Sequence, residues 1–241
     1  MAEVKFDWII AGGGVSGIAI AELLCRDRMS VLLLEKNKQL VSETSKVFHE
    51  WMHSGALYSL VPDNLLTLRY LLGATDDLFE YYASFQQMNL FETESGVGVK
   101  SGGWFNNDYI EYRYRLRRMN PIWMSLVSRS INIIDLVSHH DWLRRRAGSE
   151  YGKSKIKTKH AVDKIFDQLI SSGRFYHKLS PDFTMNSRVL INDLLTSALE
   201  NGLTVATECS LLDVRDCNNK IVAKTESGEY STDNIVICSP D

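Results

Sequence analysis

The chain carries a short run of glycines near its start whose spacing could bind phosphate. Four of its fifteen glycines fall within residues 12–17, which read Gly12, Gly13, Gly14, Val15, Ser16 and Gly17. In the spacing Gly-x-Gly-x-x-Gly, the first glycine permits a tight turn, the second lets a pyrophosphate approach the backbone, and the third lets a helix lie close to a strand. The pattern predicts a dinucleotide site, and the alternative is a tight strand-to-helix turn without a ligand.

An acidic residue further along supports the dinucleotide interpretation. Glu35 follows Gly17 by 18 residues, where a carboxylate can accept hydrogen bonds from the ribose hydroxyls of a nucleotide. A carboxylate at that position also repels a 2′-phosphate, which argues against NADP. Lys36 comes next in the sequence, and we include it among the predicted cofactor-binding residues.

The elements that would position these residues follow from hydrophobic patterning. Residues 6–11 and 30–35 are short apolar runs suited to buried parallel strands. Residues 18–28 present an apolar face at helical spacing. Strand, glycine turn, helix and acid-terminated strand together form the βαβ unit of dinucleotide-binding folds. The helix would direct its N-terminal N–H groups and the positive end of its dipole at the phosphates.

A second motif distinguishes between nucleotide cofactors. Residues 43–58 read ETSKVFHEWMHSGALY, in which Thr44 and Ser45 precede a segment that ends in His53, Ser54 and Gly55. This stretch resembles the second signature of FAD-dependent oxidoreductases of the D-amino-acid oxidase-like superfamily, which includes glycerol-3-phosphate dehydrogenases and 2-hydroxyacid oxidases. That family usually has small residues after the Thr-Ser pair, whereas this chain has larger ones at 46–51.

The resemblance implies FAD as the cofactor and a role for each matching residue. Thr44 and Ser45 would contact the flavin pyrophosphate and the ribityl chain. His53 would lie near the isoalloxazine ring as a base, a hydrogen-bond donor or a covalent tether, and the alternative is a structural or surface histidine. Leu211, nine residues after Gly202, would pair its backbone with the adenine.

The C-terminal part has the order of elements that, in that family, returns the chain to the nucleotide-binding sheet. Residues 186–200 are predicted to form an amphipathic helix that Gly202 terminates. Strands are predicted over 203–207, 211–215, 221–225 and 235–238, with a turn at 227–229. The last strand leads into Pro240, at a position where the family normally has a glycine.

The middle of the chain is the candidate substrate-binding region. Alternating apolar and polar residues predict a strand over 110–117. Arg113 and Arg115 on its polar face could grip a substrate carboxylate or phosphate, and the alternative is a solvated strand face. Helices are predicted over 65–85, 120–138 and 159–170. The resemblance implies that a substrate-binding domain is inserted between the nucleotide-binding pieces.

We therefore predict an α/β fold with a discontinuous nucleotide-binding domain. Residues 1–90 and 185–241 would form a Rossmann-like FAD/NAD(P)-binding domain. Residues 91–184 would form an inserted α+β substrate-type domain.

Composition and charge narrow the class of protein. The chain is 44% hydrophobic and 24% charged, as globular domains are, and its net charge of −3 predicts no nucleic-acid partner. The four cysteines lack metal-ligand spacing, so we predict no metal site. Free thiols, with no visible leader or membrane span, favour the cytoplasm. Residues 111–160 hold 12 Lys or Arg against 4 Asp or Glu, an excess that could face an anionic substrate, a membrane surface or a protein partner.

Three functions remain open from the sequence. The first is an FAD-dependent oxidoreductase that transfers hydride from a CH–OH or CH–NH carbon of a small anionic substrate, with a protein or a peripheral-membrane electron acceptor. The second is an FAD-binding chain that needs a further segment or a partner, because members of the resembling family usually continue beyond this length. The third is an NAD-dependent dehydrogenase, which shares the glycine turn and Glu35 but has no use for Thr44 and Ser45.

Overall fold

The structure, a computed structural model, describes residues 5–47, 51–52, 63, 66–93, 96–106, 110–115, 175–180, 183–217 and 220–239. Its helices and strands are, in chain order, β1 Lys5–Ala11, α1 Val15–Arg26, β2 Val31–Leu34, β3 Trp51–Met52, α2 Leu66–Tyr82, β4 Leu90–Thr93, β5 Gly96–Val99, β6 Phe105–Asn106, β7 Ile110–Arg115, β8 Phe175–Ser180, β9 Phe183–Met185, α3 Ser187–Glu200, β10 Thr204–Ala206, β11 Leu211–Cys217, β12 Lys220–Thr225 and β13 Gly228–Ile237.

The chain divides into two compact units. The first consists of Met1–His49 with Ser187–Asp241, and the second of Glu50–Asn186. The first boundary lies earlier in the chain than the residue 90 expected from the sequence, because α2 packs on later residues of the second unit. The rings of Phe79 and Phe105 lie 6.1 Å apart between centroids. Substrate binding by the second unit stays a prediction.

The first unit begins with the predicted strand, helix and strand. Every residue of β2 is buried, as expected for a parallel strand covered on both faces. α1 begins at Val15, earlier than predicted, because Gly14 is the extended residue that precedes the helix, with φ −80° and ψ −177°. α1 ends at Arg26, and Arg28 in a left-handed conformation (φ +67°) turns the chain toward β2.

A six-stranded sheet forms the frame of this unit, in the order β10-β2-β1-β13-β12-β11. The first four strands are parallel neighbours, and β13, β12 and β11 form an antiparallel meander. Ile9 of β1 pairs with Leu32 of β2 and with Ile235 of β13. The predicted α/β class with a parallel sheet is confirmed. β13 is longer than the predicted strand because it pairs with β12 from Gly228 onward before it pairs with β1.

Apolar side chains from both ends of the chain form one core cluster. Phe6 and Ile9 of β1 and Leu32 and Leu34 of β2 pack with Ala223 of β12. Burying a large aliphatic or aromatic side chain contributes about 1.5–3 kcal/mol. The cluster therefore fixes the ends of β1 and β2, from which the glycine turn and the following acid project.

α3 confirms the helix predicted over 186–200. It meets α1 through a buried polar contact. The Glu22 side chain of α1 is fully buried, and the Ser197 hydroxyl of α3 donates to its Oε1 at 3.0 Å. Arg26 Nε lies 3.6 Å from the same oxygen. Burial raises the pKa of Glu22, because the neutral acid is cheaper to desolvate than the carboxylate.

The second unit contains α2 and three small sheets. β4 pairs with β5, β7 pairs with β8, and β3, β9 and β6 form a three-stranded sheet. β7 confirms a strand at 110–115, within the range 110–117 predicted from alternation. The helices predicted over 120–138 and 159–170 lie outside the described residues.

A buried asparagine organises the packed end of α2. Asn89 has φ +51° and is 7% exposed. Its Nδ2 donates to the Phe105 carbonyl at 2.7 Å, and its Oδ1 accepts the Phe105 N–H at 3.0 Å. These bonds hold Trp104 and Phe105, both fully buried, against Tyr82 and its neighbours.

Within the described ranges, no helix combines the length and the hydropathy that crossing a bilayer requires.

Candidate functional site

A cavity of about 400 Å³ opens in the first unit beside the turn that follows β1. Its walls come from the residues after β1, β2 and β13, from the segment 41–45 and from the start of β11. The structure thus brings together most of the residues predicted to bind a cofactor. Those that line the cavity are Gly12, Gly13, Gly14, Glu35, Lys36, Thr44, Ser45 and Leu211.

The first and last glycines of the turn are required by backbone geometry. Gly12 has φ +114°, and a Cβ there would lie 3.0 Å from the carbonyl carbon of Cys238. A Cβ on Gly17 would overlap the carbonyl oxygen of Gly12. The turn is held by the Gly12 N–H, which donates to the Leu34 carbonyl at 2.8 Å. Glycine at these two positions therefore lets α1 start directly against β1 and β13.

The middle of the turn lines the cavity at Gly14. Gly14 is extended, a conformation that any residue adopts, yet a Cβ there would lie 3.0 Å from Oγ of Ser45. The Ser45 hydroxyl in turn accepts the N–H of Val15, the first residue of α1, at 3.1 Å. Backbone and hydroxyl groups thus converge at a helix N-terminus, where partial positive charge favours an anion.

Glu35 is a buried carboxylate at the wall of this cavity. It is 7% exposed. Its Oε2 accepts the N–H of Gly13 at 2.8 Å, and its Oε1 accepts the N–H and the Nδ2 of Asn37, at 2.8 and 2.9 Å. The carboxylate is therefore fixed beside the glycine turn, in the place where the sequence expects an acceptor for ribose hydroxyls.

A pair of opposite charges lies at the mouth of the cavity. Lys36 Nζ is 3.3 Å from Glu43 Oε1, and both side chains are about half exposed. The Asn37 Nδ2 also donates to this oxygen of Glu43 at 3.2 Å. The hydrogen bond from Asn37 and the nearby Lys36 ammonium hold the pKa of Glu43 below its usual value. Glu43, which precedes Thr44, is thus ionised at neutral pH, and the nearby Lys36 ammonium offsets part of its negative charge.

Val41 holds an unusual backbone conformation at the same wall. Its φ is +56°, which is a genuine outlier for a β-branched residue. The strained residue donates its N–H to the Gly13 carbonyl at 2.9 Å. The segment after β2 is therefore tied to the middle of the glycine turn, and it encloses the cavity from that side.

The opposite wall is built by β11 and the end of β13. Leu211 pairs with Thr225, but the register shifts before Asp213, so Leu212 is an extra residue in a β-bulge. Consecutive residues from Cys209 to Val214 line the cavity, and the bulge interrupts the regular alternation of strand faces within this stretch. Leu211 lies at an outer strand of the sheet, where backbone groups can meet a ligand.

Other predicted residues lie elsewhere. Val15, Ser16 and Gly17 form the first turn of α1 and are not among the lining residues. His53 lies outside the described residues. Arg113 and Arg115 belong to β7 of the second unit, opposite His177 and Phe175 of β8. The roles of these residues stay predictions.

Sequence reasoning missed several residues of the wall. Asn37, Val41, Glu43 and Cys238 all contact the turn, line the cavity or hold its residues. Glu43 directly precedes the Thr-Ser pair, and this adjacency was a usable signal. Burial raises the pKa of the Cys238 thiol, so at neutral pH it is a neutral, poorly nucleophilic group. Among the described residues, none of the His, Cys, Asp and Glu side chains form a group of three that could hold a metal ion.

The donor set fits a dinucleotide. A glycine turn without Cβ atoms, a helix N-terminus and the hydroxyl of Ser45 suit a pyrophosphate. A fixed carboxylate at Glu35 suits ribose hydroxyls, and the bulged edge at Leu211 suits an adenine. The described residues at the cavity can bind and orient such a ligand.

Comparison with known proteins agrees with this assignment. The chain matches the sequence family described as FAD dependent oxidoreductase (DAO) over residues 7–239. No curated protein matches it.

Solved structures with the same fold include NikD, described as an unusual amino acid oxidase essential for nikkomycin biosynthesis (TM-score 0.62, 14% identity, covering 98% of this chain and 51% of that one). A second similar structure is glycine oxidase from Geobacillus kaustophilus, with a TM-score of 0.59 and 17% identity, covering 98% of this chain and 55% of that one. A third is L-proline dehydrogenase from P. horikoshii, with a TM-score of 0.59 and 16% identity, covering 98% of this chain and 53% of that one. The chain spans about half the length of these neighbours.

Proposed function

Because the chain belongs to the family of FAD-dependent oxidoreductases, we propose that its cavity holds the adenosine diphosphate part of FAD and that the protein oxidises a small anionic substrate at a CH–NH carbon. The observation that carries the proposal is the convergence of the glycine turn, Ser45 and Glu35 on one cavity. Membership of the family favours FAD over the NAD-dependent alternative.

Different residues of the chain bind the pyrophosphate, the ribose and the adenine. The turn at Gly14 and the N-terminus of α1 receive the pyrophosphate, with the hydroxyls of Thr44 and Ser45 beside it. Glu35 accepts a ribose hydroxyl, and the backbone at Leu211 receives the adenine. Lys36 stands at the mouth of the cavity, where its ammonium attracts the anionic ligand.

The chemistry of the proposed reaction is a two-electron oxidation. The bound flavin supplies the hydride acceptor. The substrate loses hydride from carbon and a proton from nitrogen, which leaves an imine that water hydrolyses. Arg113 and Arg115 are the proposed partners of a substrate carboxylate, and His53 is the proposed group near the reacting carbon. We propose that the electron acceptor is a protein or a component at a membrane surface.

The amine class is preferred over hydroxy acids because of the structural neighbours. Their names describe an amino acid oxidase, a glycine oxidase and an L-proline dehydrogenase. At 14–17% identity this likeness establishes the fold, and the substrate class is our extension of it.

A spectroscopic experiment tests the proposal in two steps. The purified chain, mixed with FAD and desalted, should retain the yellow flavin absorbance. Anaerobic addition of glycine, proline or other amino acids should then bleach it, whereas lactate and glycerol 3-phosphate should not. A colourless protein after desalting contradicts the FAD site, and bleaching by lactate alone contradicts the amine class.

A second candidate is FAD binding by a chain that needs a further segment or a partner for turnover. The coverage of about half of each neighbour favours it. It predicts a stable yellow protein that none of these substrates bleaches, while dithionite still reduces the flavin.

A further inference from the structure

We propose that Asn37 is a positioning residue that determines which carboxylate oxygen of Glu35 receives the adenosine ribose. This inference rests on the proposed function, because it takes the cavity to hold the adenosine part of FAD. Asn37 lies two residues beyond the acid and donates two hydrogen bonds to it. Its contacts decide what remains available on the carboxylate.

Asn37 occupies one oxygen of Glu35 completely. Its backbone N–H and its Nδ2 both donate to Oε1, at 2.8 and 2.9 Å. The other oxygen, Oε2, accepts the N–H of Gly13 at 2.8 Å. A carboxylate oxygen offers about two acceptor positions, so Oε1 is saturated and Oε2 keeps one. The next hydroxyl that reaches Glu35 must therefore bind Oε2, on the side of the glycine turn.

Asn37 is itself held at both ends. Its carbonyl accepts the N–H of Glu208 at 3.0 Å, and its Nδ2 also reaches Glu43 at 3.2 Å. The Glu35 backbone N–H donates to the Ala206 carbonyl at 2.9 Å. Rotation of the Glu35 carboxylate would therefore break bonds that the neighbouring chain segments fix, so the acceptor is preorganised before a ligand arrives.

The amide also separates two negative charges. Nδ2 of Asn37 lies within hydrogen-bond distance of Glu35 Oε1 and of Glu43 Oε1. A donor shared by two carboxylates reduces their repulsion, which would otherwise favour rotation of one of them. Without the Asn37 side chain, the N–H groups of Gly13 and of residue 37 still hold the carboxylate, but Oε1 regains an acceptor position. A ribose hydroxyl can then bind either oxygen.

The consequence is a change in ligand discrimination rather than in overall affinity alone. In the wild-type chain, one ribose hydroxyl should donate to a fixed, charged acceptor. Removing that hydroxyl should weaken binding about tenfold, which is ~1.4 kcal/mol. In Asn37→Ala and in Asn37→Asp the same removal should weaken binding about twofold or less, because the ribose hydroxyl that remains can donate to the freed Oε1.

The experiment measures dissociation constants of ADP, 2′-deoxy-ADP and 3′-deoxy-ADP by calorimetry, using the purified cofactor-free chain. The readout is the ratio of each deoxy constant to that of ADP. Asn37→Asp keeps the size of the side chain but has no Nδ2 donor, so it separates donation from packing. The matched control is Asn234→Ala, which removes a single bond to the Asp7 carbonyl away from the cavity lining, and it should keep the wild-type ratios. Urea unfolding of each variant shows that it is folded.

The possible outcomes distinguish a failure of the inference about Asn37 from a failure of the proposed function. Equal affinity of the wild type for all three ligands overturns both the inference and the ribose role of Glu35 in the proposed function. A wild-type ratio near tenfold that persists in both Asn37 variants overturns the inference and leaves the proposed function standing. This includes the case in which the variants bind every ligand more weakly by one common factor, since that pattern is a purely structural effect. Loss of the ratio in both variants, with the control unchanged, supports Asn37 as a positioning residue.

Discussion

Replacing Gly17 with alanine should destabilise the first unit, whereas replacing Gly14 with alanine should leave its stability nearly unchanged and remove FAD binding. At Gly17, a Cβ would overlap the Gly12 carbonyl oxygen and would also lie 3.2 Å from the Gly12 carbonyl carbon and 3.4 Å from Cγ2 of Ile10. Two of these atoms are backbone, so they cannot rotate away, and α1 must shift relative to the turn.

Two opposing effects set the size of the Gly17 change. Alanine is about 1 kcal/mol better than glycine inside a helix, and this favours the variant. Overpacking costs about 1–3 kcal/mol, and a clash with backbone belongs at the upper end. The net expectation is a loss of about 2 kcal/mol in the free energy of unfolding, because the clash outweighs the gain in helix propensity.

Gly14 differs because the atom near its Cβ belongs to a side chain. Its backbone is already in an extended conformation that alanine adopts, and the added carbon meets only Ser45, at 3.0 Å from Oγ. Ser45 can give way by rotation, which breaks only its solvent-exposed hydrogen bond from the Val15 N–H, so the free energy of unfolding should change by less than about 1 kcal/mol. The methyl group would instead occupy the approach of the pyrophosphate, and FAD affinity should fall more than about tenfold.

The assay pairs urea unfolding of each cofactor-free variant with a fluorescence titration of FAD. Each variant serves as the control of the other, because both exchange one hydrogen for one methyl group within the same turn. Retention of FAD by Gly14→Ala at the wild-type dissociation constant would refute the pyrophosphate assignment. A Gly17→Ala chain as stable as the wild type would refute the packing argument.

Buried polar and thiol groups give three further expected outcomes. Burial raises the pKa of Glu22, so the folded chain keeps this proton to a higher pH than the unfolded chain does. The wild type should therefore lose stability relative to Glu22→Gln as the pH rises from about 4 toward neutrality. Urea midpoints of the two proteins that run parallel over that range would contradict this. Iodoacetamide at pH 8 should modify Cys238, which lines the cavity, more slowly when FAD is present. Buried Cys25, whose pKa burial raises to about 11, should stay unmodified. Peptide mass spectrometry that finds equal rates of Cys238 modification with and without FAD would exclude binding of FAD beside Cys238. Asn89→Ala should lose about 3 kcal/mol of stability in thermal or urea unfolding. It removes the side-chain hydrogen bonds to Phe105 and to the Lys100 carbonyl and strains a positive φ. Asn89→Gly should recover about 1 kcal/mol of that loss, and equal losses of the two variants would contradict the contribution of backbone strain.

The βαβ unit was predictable because its signals are local. The apolar runs of β1 and β2 read directly as buried strands, and the glycine spacing fixed the position of the turn. The start of α1 was placed too late because Val15 and Ser16 are exposed and add nothing to the apolar face. The early limit of the first unit was not predictable, since it depends on aromatic contacts between α2 and residues some twenty positions later.

The site was predictable only where a residue type has one clear use. Glycines and a strand-terminal acid met that condition, and the structure places them on one cavity. The role of Asn37 depends on Glu208 and Glu43 being brought to it by the fold. The strained φ of Val41 and the bulge at Leu212 likewise arise from tertiary pairing, because nothing in the local sequence requires a left-handed valine or an extra strand residue.

The position of β13 in the sheet sets the order in which this protein can mature. β13 separates β1 from the β12–β11 hairpin, and Lys5 pairs with Ser231 across nearly the whole chain. During synthesis, β1 and its glycine turn leave the ribosome long before the strand that completes them. Such distant pairing is slow to form, and the wall at Cys238 does not exist until it has formed. Loading of a nucleotide must therefore wait until β13 has been synthesised and paired with β1. Until then the exposed edge of β1 is a site at which nascent chains can aggregate.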